Sequence, residues 1–231
     1  MGGLIPLGDA SRRSRDFPVV TTIIVALNVF VFFQELVYGD RFVYTWSTIP
    51  IYIVHGQRWI TLLTSMFMHG GWMHIIGNMI YLWAFGREIE DVMGGFRFAV
   101  FYLAGGIIAM AAQVVGDPLS RLPSLGASGA IAAVMGAFIV TFPRDRIKTV
   151  VFFFIFFRVT FIPAALLIGF WFLIQVFHVG MVATVNTGGV AYLAHVGGFL
   201  FGAVTARLFE NKQRLAARQQ WMQQRWGGWQ R

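Results

Sequence analysis

The feature that most narrows what this chain can fold into is a succession of apolar runs, each near the length that crosses a bilayer, with only short polar connections between them. They lie at about 17–38, 72–86, 96–115, 125–142, 160–182 and 190–209. Roughly 20 apolar residues of helix cross a hydrocarbon layer about 30 Å thick. In lipid only helices and closed barrels satisfy every backbone polar group, so each run reads as a helical span. Composition agrees: 57% hydrophobic residues, 12% charged residues and a mean hydropathy of +0.67 lie outside the usual soluble range. Six spans in 231 residues leave no room for a soluble domain of ordinary size. The expectation is an all-α polytopic membrane protein, a six-transmembrane-helix bundle that occupies 1–231 as one domain.

Between the runs, the sequence predicts the following connections. Residues 1–16 are polar and carry Arg12, Arg13 and Arg15; the run 17–33 is long for a signal peptide and lacks a small-residue cleavage site, so it reads as an uncleaved first span. Residues 40–57, with Trp46, Pro50, Tyr52 and His55, are too interrupted to span and rich in interfacial residues, so they read as a partly lipid-embedded loop. Residues 86–95, with Arg87, Glu88, Glu90 and Asp91, read as a loop closing span two. Residues 150–157 are eight apolar residues, five of them Phe, too few to cross, and read as a re-entrant or interfacial stretch. Pro163 suits the first turn of span five. A turn-forming loop follows at 184–189. The basic, Gln-rich tail 211–231, with Trp221, Trp226 and Trp229, reads as a helix lying on an anionic surface.

Charge then sets the expected orientation. With both termini on one side, the segments on that side hold fourteen Lys or Arg and the opposite loops hold three, Arg41, Arg58 and Arg121, which predicts cytoplasmic N- and C-termini. The net charge of +8 is accounted for by this asymmetry, and no nucleic-acid partner is expected. The absence of Cys excludes disulfides, thiolate metal sites and a Cys nucleophile. Any covalent chemistry must use oxygen or nitrogen.

Spans two, four and six all run from outside to inside, and each carries a polar residue in its first turns. At 1.5 Å per residue, Asn78 and His195 lie about 10 Å along their spans and Ser128 somewhat less, so three polar side chains share one outer layer. Polar groups in spans are expensive and usually face a bundle interior or wet cavity, which points to a shared site. Taken alone, Gly126-Ala127-Ser128-Gly129 is better explained as a small-residue packing motif, and His195 is equally a buried interhelical hydrogen-bonding residue. Together they fit a nucleophile and its base, because a Ser hydroxyl needs a base within about 2.6 to 3.2 Å. Gly198 and Gly202, four apart and one turn beyond His195, form a smooth face for close helix approach. His74 and Asn78 share a face of span two and offer donors toward the same cavity, where an Asn amide suits a developing oxyanion. His69, at the mouth of that span, reads as structural; His55 and His178 are given no role.

These residues resemble a known family, the rhomboid intramembrane serine proteases. The resemblance is carried by His69-x4-His74-x3-Asn78, Gly86-x3-Glu90-x3-Gly94, Gly126-x-Ser128-Gly129, Ala194-His195-x2-Gly198 and Gly198-x3-Gly202, in family order and in the expected spans. It implies a rhomboid-type six-span fold and a dyad of Ser128 as nucleophile and His195 as general base and acid, without a third acidic member. It further implies an oxyanion site from Asn78, His74 and the Ser128 backbone N–H, with Gly126, Gly129, Gly198, Gly202, His69 and Glu90 as structural support. The implied substrates are membrane-anchored proteins cleaved near the outer membrane face, with the bilayer as partner and a lipid-embedded first loop at 40–68. No cofactor and no metal are implied. Two departures stand out: Arg58-Trp59 replaces the order Trp-Arg common in that loop, and Ala132 stands where some members place an aromatic that packs on the catalytic His. Short termini without a transit-like presequence lead us to expect a bacterial or archaeal plasma membrane.

Other chemistries fit less well. There is no His-Glu-x-x-His, and Glu88, Glu90 and Asp91 fall at the opposite membrane face from the His cluster, so a zinc protease has no ligand set. Every Asp lies in a terminus or loop, which excludes a paired-aspartate protease within the spans. A catalytically silent relative that binds membrane proteins usually lacks Ser or His, and a small transporter calls for inverted repeats or a polar layer at the midplane, neither of which is evident.

Overall fold

The computed structural model describes residues 2–9, 16–153, 156–182 and 191–226. Arg12, Arg13, Arg15, the loop 184–189, the start of the last apolar run at 190 and Trp229 lie outside the described residues. In chain order the elements are β1 (Gly2–Asp9), α1 (Val19–Trp46), α2 (Pro50–Val54), α3 (Thr61–Thr64), α4 (Trp72–Tyr81), α5 (Arg87–Met93), α6 (Gly95–Gly116), α7 (Ser128–Thr141), β2 (Arg146–Phe153), β3 (Phe156–Pro163), α8 (Ala164–Val182), α9 (Tyr192–Phe209) and α10 (Lys212–Trp226). The helices form the body of the molecule, and α1, α6 and α9 are each long and apolar enough to cross a membrane. It is a predominantly helical polytopic membrane protein.

At the centre stands α7. Residues Gly129 to Phe138 are buried without exception, so its whole circumference is covered by protein, chiefly by α9 and α6. The contacts are made by small residues. A Cβ at Gly198 would fall inside the van der Waals envelope of the Gly129 carbonyl oxygen, and one at Gly202 inside that of the Ala133 carbonyl oxygen. The glycine face of α9 therefore rests on the backbone of α7, with Ala133 beneath Gly202.

Three features differ from the sequence reading. First, residues 86–95 do not form a loop: α4 continues through a π-helical turn at Leu82–Gly86 into α5, and helical geometry ends only at Gly94 (φ 81°). The carboxylates that made this stretch look like a loop, Glu88, Glu90 and Asp91, are buried and partnered. Arg218 of α10, only 3% exposed, pairs with Glu88 and, at 3.0 Å, with Asp91. Second, α10 therefore does not simply lie on a membrane surface; it docks on the end of the bundle, where Arg218 also sits 4.7 Å from the centre of the Phe142 ring. Third, the described residues of the apolar stretch, 150–153 and 156–157, belong to strands. β1, β2 and β3 form an antiparallel sheet in that order, with Val150 paired to Ile5 and Val159. Ladder hydrogen bonds satisfy the backbone that a short apolar segment would otherwise leave open. Residues 160–163 are accordingly strand, and helix α8 begins at Ala164, directly after Pro163.

Glu90 ties the first two spans together. Its carboxylate accepts the N–H groups of Val20 and Thr21 at 2.8 Å each and the Thr21 hydroxyl at 2.7 Å, capping the otherwise unsatisfied start of α1. Hydrogen bonds to a charged group contribute about 1.5 to 3 kcal/mol. Glu90→Ala is expected to destabilise the protein by about 2 to 4 kcal/mol, read as a lower unfolding midpoint in detergent. An unchanged midpoint would show that water caps α1 equally well.

Candidate active site

α7 has 14 residues and is therefore about 21 Å long, shorter than the roughly 30 Å hydrocarbon layer. Ser128 is its first residue and only partly buried, and the backbone leading to it is irregular. Such backbone is tolerated only where protein satisfies it. Here the first loop does so: Thr48 and Ser124 exchange backbone hydrogen bonds of 3.1 and 2.7 Å, and the Gly126 N–H donates to the Ser65 carbonyl at 2.9 Å. The loop is itself fastened inside by Thr48, whose hydroxyl donates to the Thr61 carbonyl at 2.8 Å and lies 3.0 Å from the Ser65 hydroxyl. Arg58 anchors it to the end of α1 by donating to the carbonyls of Tyr44 (2.6 Å) and Thr45.

The start of α7 opens onto a cavity of about 380 Å³. His74 and Asn78 of α4, Ser128 of α7, Trp171 of α8 and His195 of α9 all line it. Ser128 Oγ is 2.7 Å from His195 Nε2, and His195 Nδ1 is 2.7 Å from Gln175 Oε1 on α8. The Asn78 Nδ2 donor is buried and has no partner among the described residues. His74 Nδ1 accepts the Gly70 N–H at 3.3 Å, so the neutral ring carries its proton on Nε2. That nitrogen and Ser128 Oγ converge over Gly126: a Cβ there would lie 2.9 Å from His74 Nε2 and 3.5 Å from Ser128 Oγ. Gly126 also has φ +129°, which side-chain-bearing residues rarely adopt, so its glycine has two independent reasons. Ser128 is the first residue of α7, where a backbone N–H has no acceptor within the helix. A hydroxyl on a base, the unpartnered Asn78 amide donor and the His74 ring line one space.

The family model described as "Rhomboid domain" matches residues 56–212, more than half of the chain. The chain belongs to the rhomboid family. Among similar proteins, the rhomboid protease GluP of Bacillus subtilis is 33% identical over 134 residues, covering 56% of this chain and 26% of the relative. Rhomboid protein 1, mitochondrial, of Saccharomyces cerevisiae is 31% identical over 151 residues, covering 63% and 40%. The human presenilin-associated rhomboid-like protein, mitochondrial, is 35% identical over 91 residues, covering 38% and 24%. In each case the match spans less than half of the relative's length.

In this rhomboid the structure brings Ser128, His195, His74 and Asn78 to one cavity. His69 is not among its lining residues: its ring is buried and meets His74 edge-on at 5.1 Å between centres. Glu90, Gly129, Gly198 and Gly202 sit in the helix contacts described above. Three residues escaped the sequence reading. Glu35 of α1 accepts the His69 N–H at 2.9 and 3.2 Å and so holds the turn entering α4. Trp171 lies 5.7 Å from the His195 ring, supplying from α8 an aromatic neighbour where Ala132 of α7 has none to offer. Gln175 is the third. Glu35 and Gln175 share a legible signal, a lone polar side chain inside an apolar run, which is expensive unless it has a partner.

Proposed function

We propose that this rhomboid is an active intramembrane serine endopeptidase that cleaves transmembrane protein substrates near the outer membrane face. Family members are in general serine intramembrane proteases, although some are inactive. The observation that carries the reading is the 2.7 Å contact between Ser128 Oγ and His195 Nε2 at the edge of the cavity. In this mechanism Ser128 Oγ attacks the scissile carbonyl while its proton passes to His195 Nε2. The tetrahedral oxyanion is held by Asn78 Nδ2, His74 Nε2–H and the Ser128 N–H. Collapse breaks the C–N bond, His195 returns the proton to the leaving amine, and a water activated by the same imidazole releases the acyl group.

The uncommitted Asn78 donor supports a role that is exercised only when charge develops. Loss of one such donor typically lowers kcat by about 10² to 10³-fold, so Asn78→Ala is expected to fall in that range with KM little changed. A variant altered only in KM would assign Asn78 to substrate binding instead. The Lys and Arg asymmetry supports placing both termini on the positively charged side, which in a plasma membrane is the cytoplasm. The function is tested by reconstituting the purified protein in liposomes with a single-span reporter. We expect a cut near the outer end of the reporter's span, suppressed by a fluorophosphonate; an intact reporter would make this chain a silent rhomboid that binds membrane proteins.

A further inference from the structure

We infer that Gln175 completes the catalytic group as a neutral positioning residue, fixing the tautomer and orientation of His195 in the place where a serine hydrolase triad carries a carboxylate. The inference rests on the reading of Ser128 and His195 as nucleophile and base. Its physical content is a chain of hydrogen-bond assignments that leaves one solution. Gln175 sits on α8, 7% exposed, and its amide has two partners. Nε2 donates to the Trp171 carbonyl, one turn earlier, at 3.2 Å. A carbonyl oxygen only accepts, so the NH₂ end of the amide belongs there and Oε1 faces His195 Nδ1 at 2.7 Å. Oε1 only accepts as well, so Nδ1 carries a proton. A neutral imidazole has one N–H, which leaves a lone pair on Nε2, directed at the Ser128 hydroxyl 2.7 Å away. The reverse tautomer would place a proton on Nε2 and leave Ser128 without a base.

Neutrality suits the location. A lone carboxylate within an apolar helix is expensive, whereas an amide supplies the same acceptor without a charge to desolvate. When His195 takes the proton of Ser128, Nδ1–H remains on Oε1 as a charge-assisted hydrogen bond, which is stronger than the neutral one. The arrangement therefore favours the charged intermediate state over the resting state. Trp171, tilted 39° to the His195 ring, and Tyr192, edge-on at 6.4 Å, flank the imidazole and limit other rotations. The Gln175–Trp171 bond also makes the backbone of α8 the reference against which the base is aligned.

The test compares Gln175→Met, which keeps the volume and removes the acceptor, with Gln175→Glu, whose carboxyl keeps an acceptor oxygen for His195 Nδ1 in either protonation state and, when protonated, can still donate to the Trp171 carbonyl. Turnover of the transmembrane reporter and unfolding midpoint are measured for both, alongside Ser128→Ala. We expect Gln175→Met to lose about 10 to 10²-fold in kcat with KM within about threefold of the parent, and Gln175→Glu to recover most of that loss. Gln175→Met with kcat within about twofold of the parent would overturn the inference, as would equal impairment of both variants, since that pattern belongs to a packing role. An active Ser128→Ala instead removes the catalytic reading beneath it, a distinct failure.

Discussion

Ser128→Ala is expected to lower turnover of a transmembrane reporter on the order of 10⁶-fold, the scale on which a serine protease loses kcat when its nucleophile is removed. The expectation follows from the geometry of one atom. Ser128 Oγ is the group 2.7 Å from His195 Nε2, and both line the cavity that holds the oxyanion donors. With Oγ absent there is no side-chain nucleophile for His195 to deprotonate. The fold should tolerate the change. Ser128 begins α7, where alanine keeps the helical backbone, and the loss is one hydrogen bond, about 1 kcal/mol. The check is cleavage measured beside the unfolding midpoint in the same detergent. A folded Ser128→Ala protein that cleaves at the parental rate contradicts the mechanism.

Gly198→Leu is expected to come second, lowering kcat by about 10²-fold or more although Gly198 has no side chain to do chemistry. A Cβ at this position collides with the carbonyl of Gly129, the residue next to Ser128, and stands 3.2 Å from the Ala109 Cβ of α6. The obstacle is backbone, so relief requires α7 and α9 to separate. His195 and Ser128 ride on those two helices, and a displacement near 1 Å costs on the order of 10²-fold in rate. Overpacking costs about 1 to 3 kcal/mol, which a bundle of this size is expected to survive. Gly169→Ala on α8 is the matched control, since nothing lies within 4 Å of its added Cβ. The measurement is turnover against unfolding midpoint for both variants. Near-parental turnover in Gly198→Leu would mean that α7 and α9 do not hold the pair in register.

How much of this was legible in the sequence depends on whether the signal is local. The proximity of Ser128 to His195 was legible because small residues mark close helix approach and polar residues in spans mark cavities, and both signals fall at matched depths. The face shared by His74 and Asn78 follows from helical periodicity alone. The helix through Arg87–Met93 was not legible, because the partner that neutralises Glu88 and Asp91 is Arg218, some 130 residues away in sequence. The sheet was partly legible: Arg146, Ile147, Lys148 and Thr149 alternate exposed and buried, a period of two that length-based reading of the neighbouring Phe run overlooked. Its third strand, Gly2–Asp9, carried no such pattern and is supported only by pairing with β2. Gln175 announced itself as a polar residue in an apolar run, but its partner became visible only when α8 was placed against α9.

The central claim, that Ser128 is the residue the rest of the site activates, is tested most directly by covalent labelling. The full chain in detergent is treated with a fluorophosphonate, digested and mapped by mass spectrometry, with Ser128→Ala in parallel. The account predicts a single phosphonyl adduct on Ser128, forming as reporter cleavage is lost, and no adduct in the alanine variant. An inhibited protein with Ser128 unmodified, or an adduct on a different residue that persists in Ser128→Ala, would contradict it.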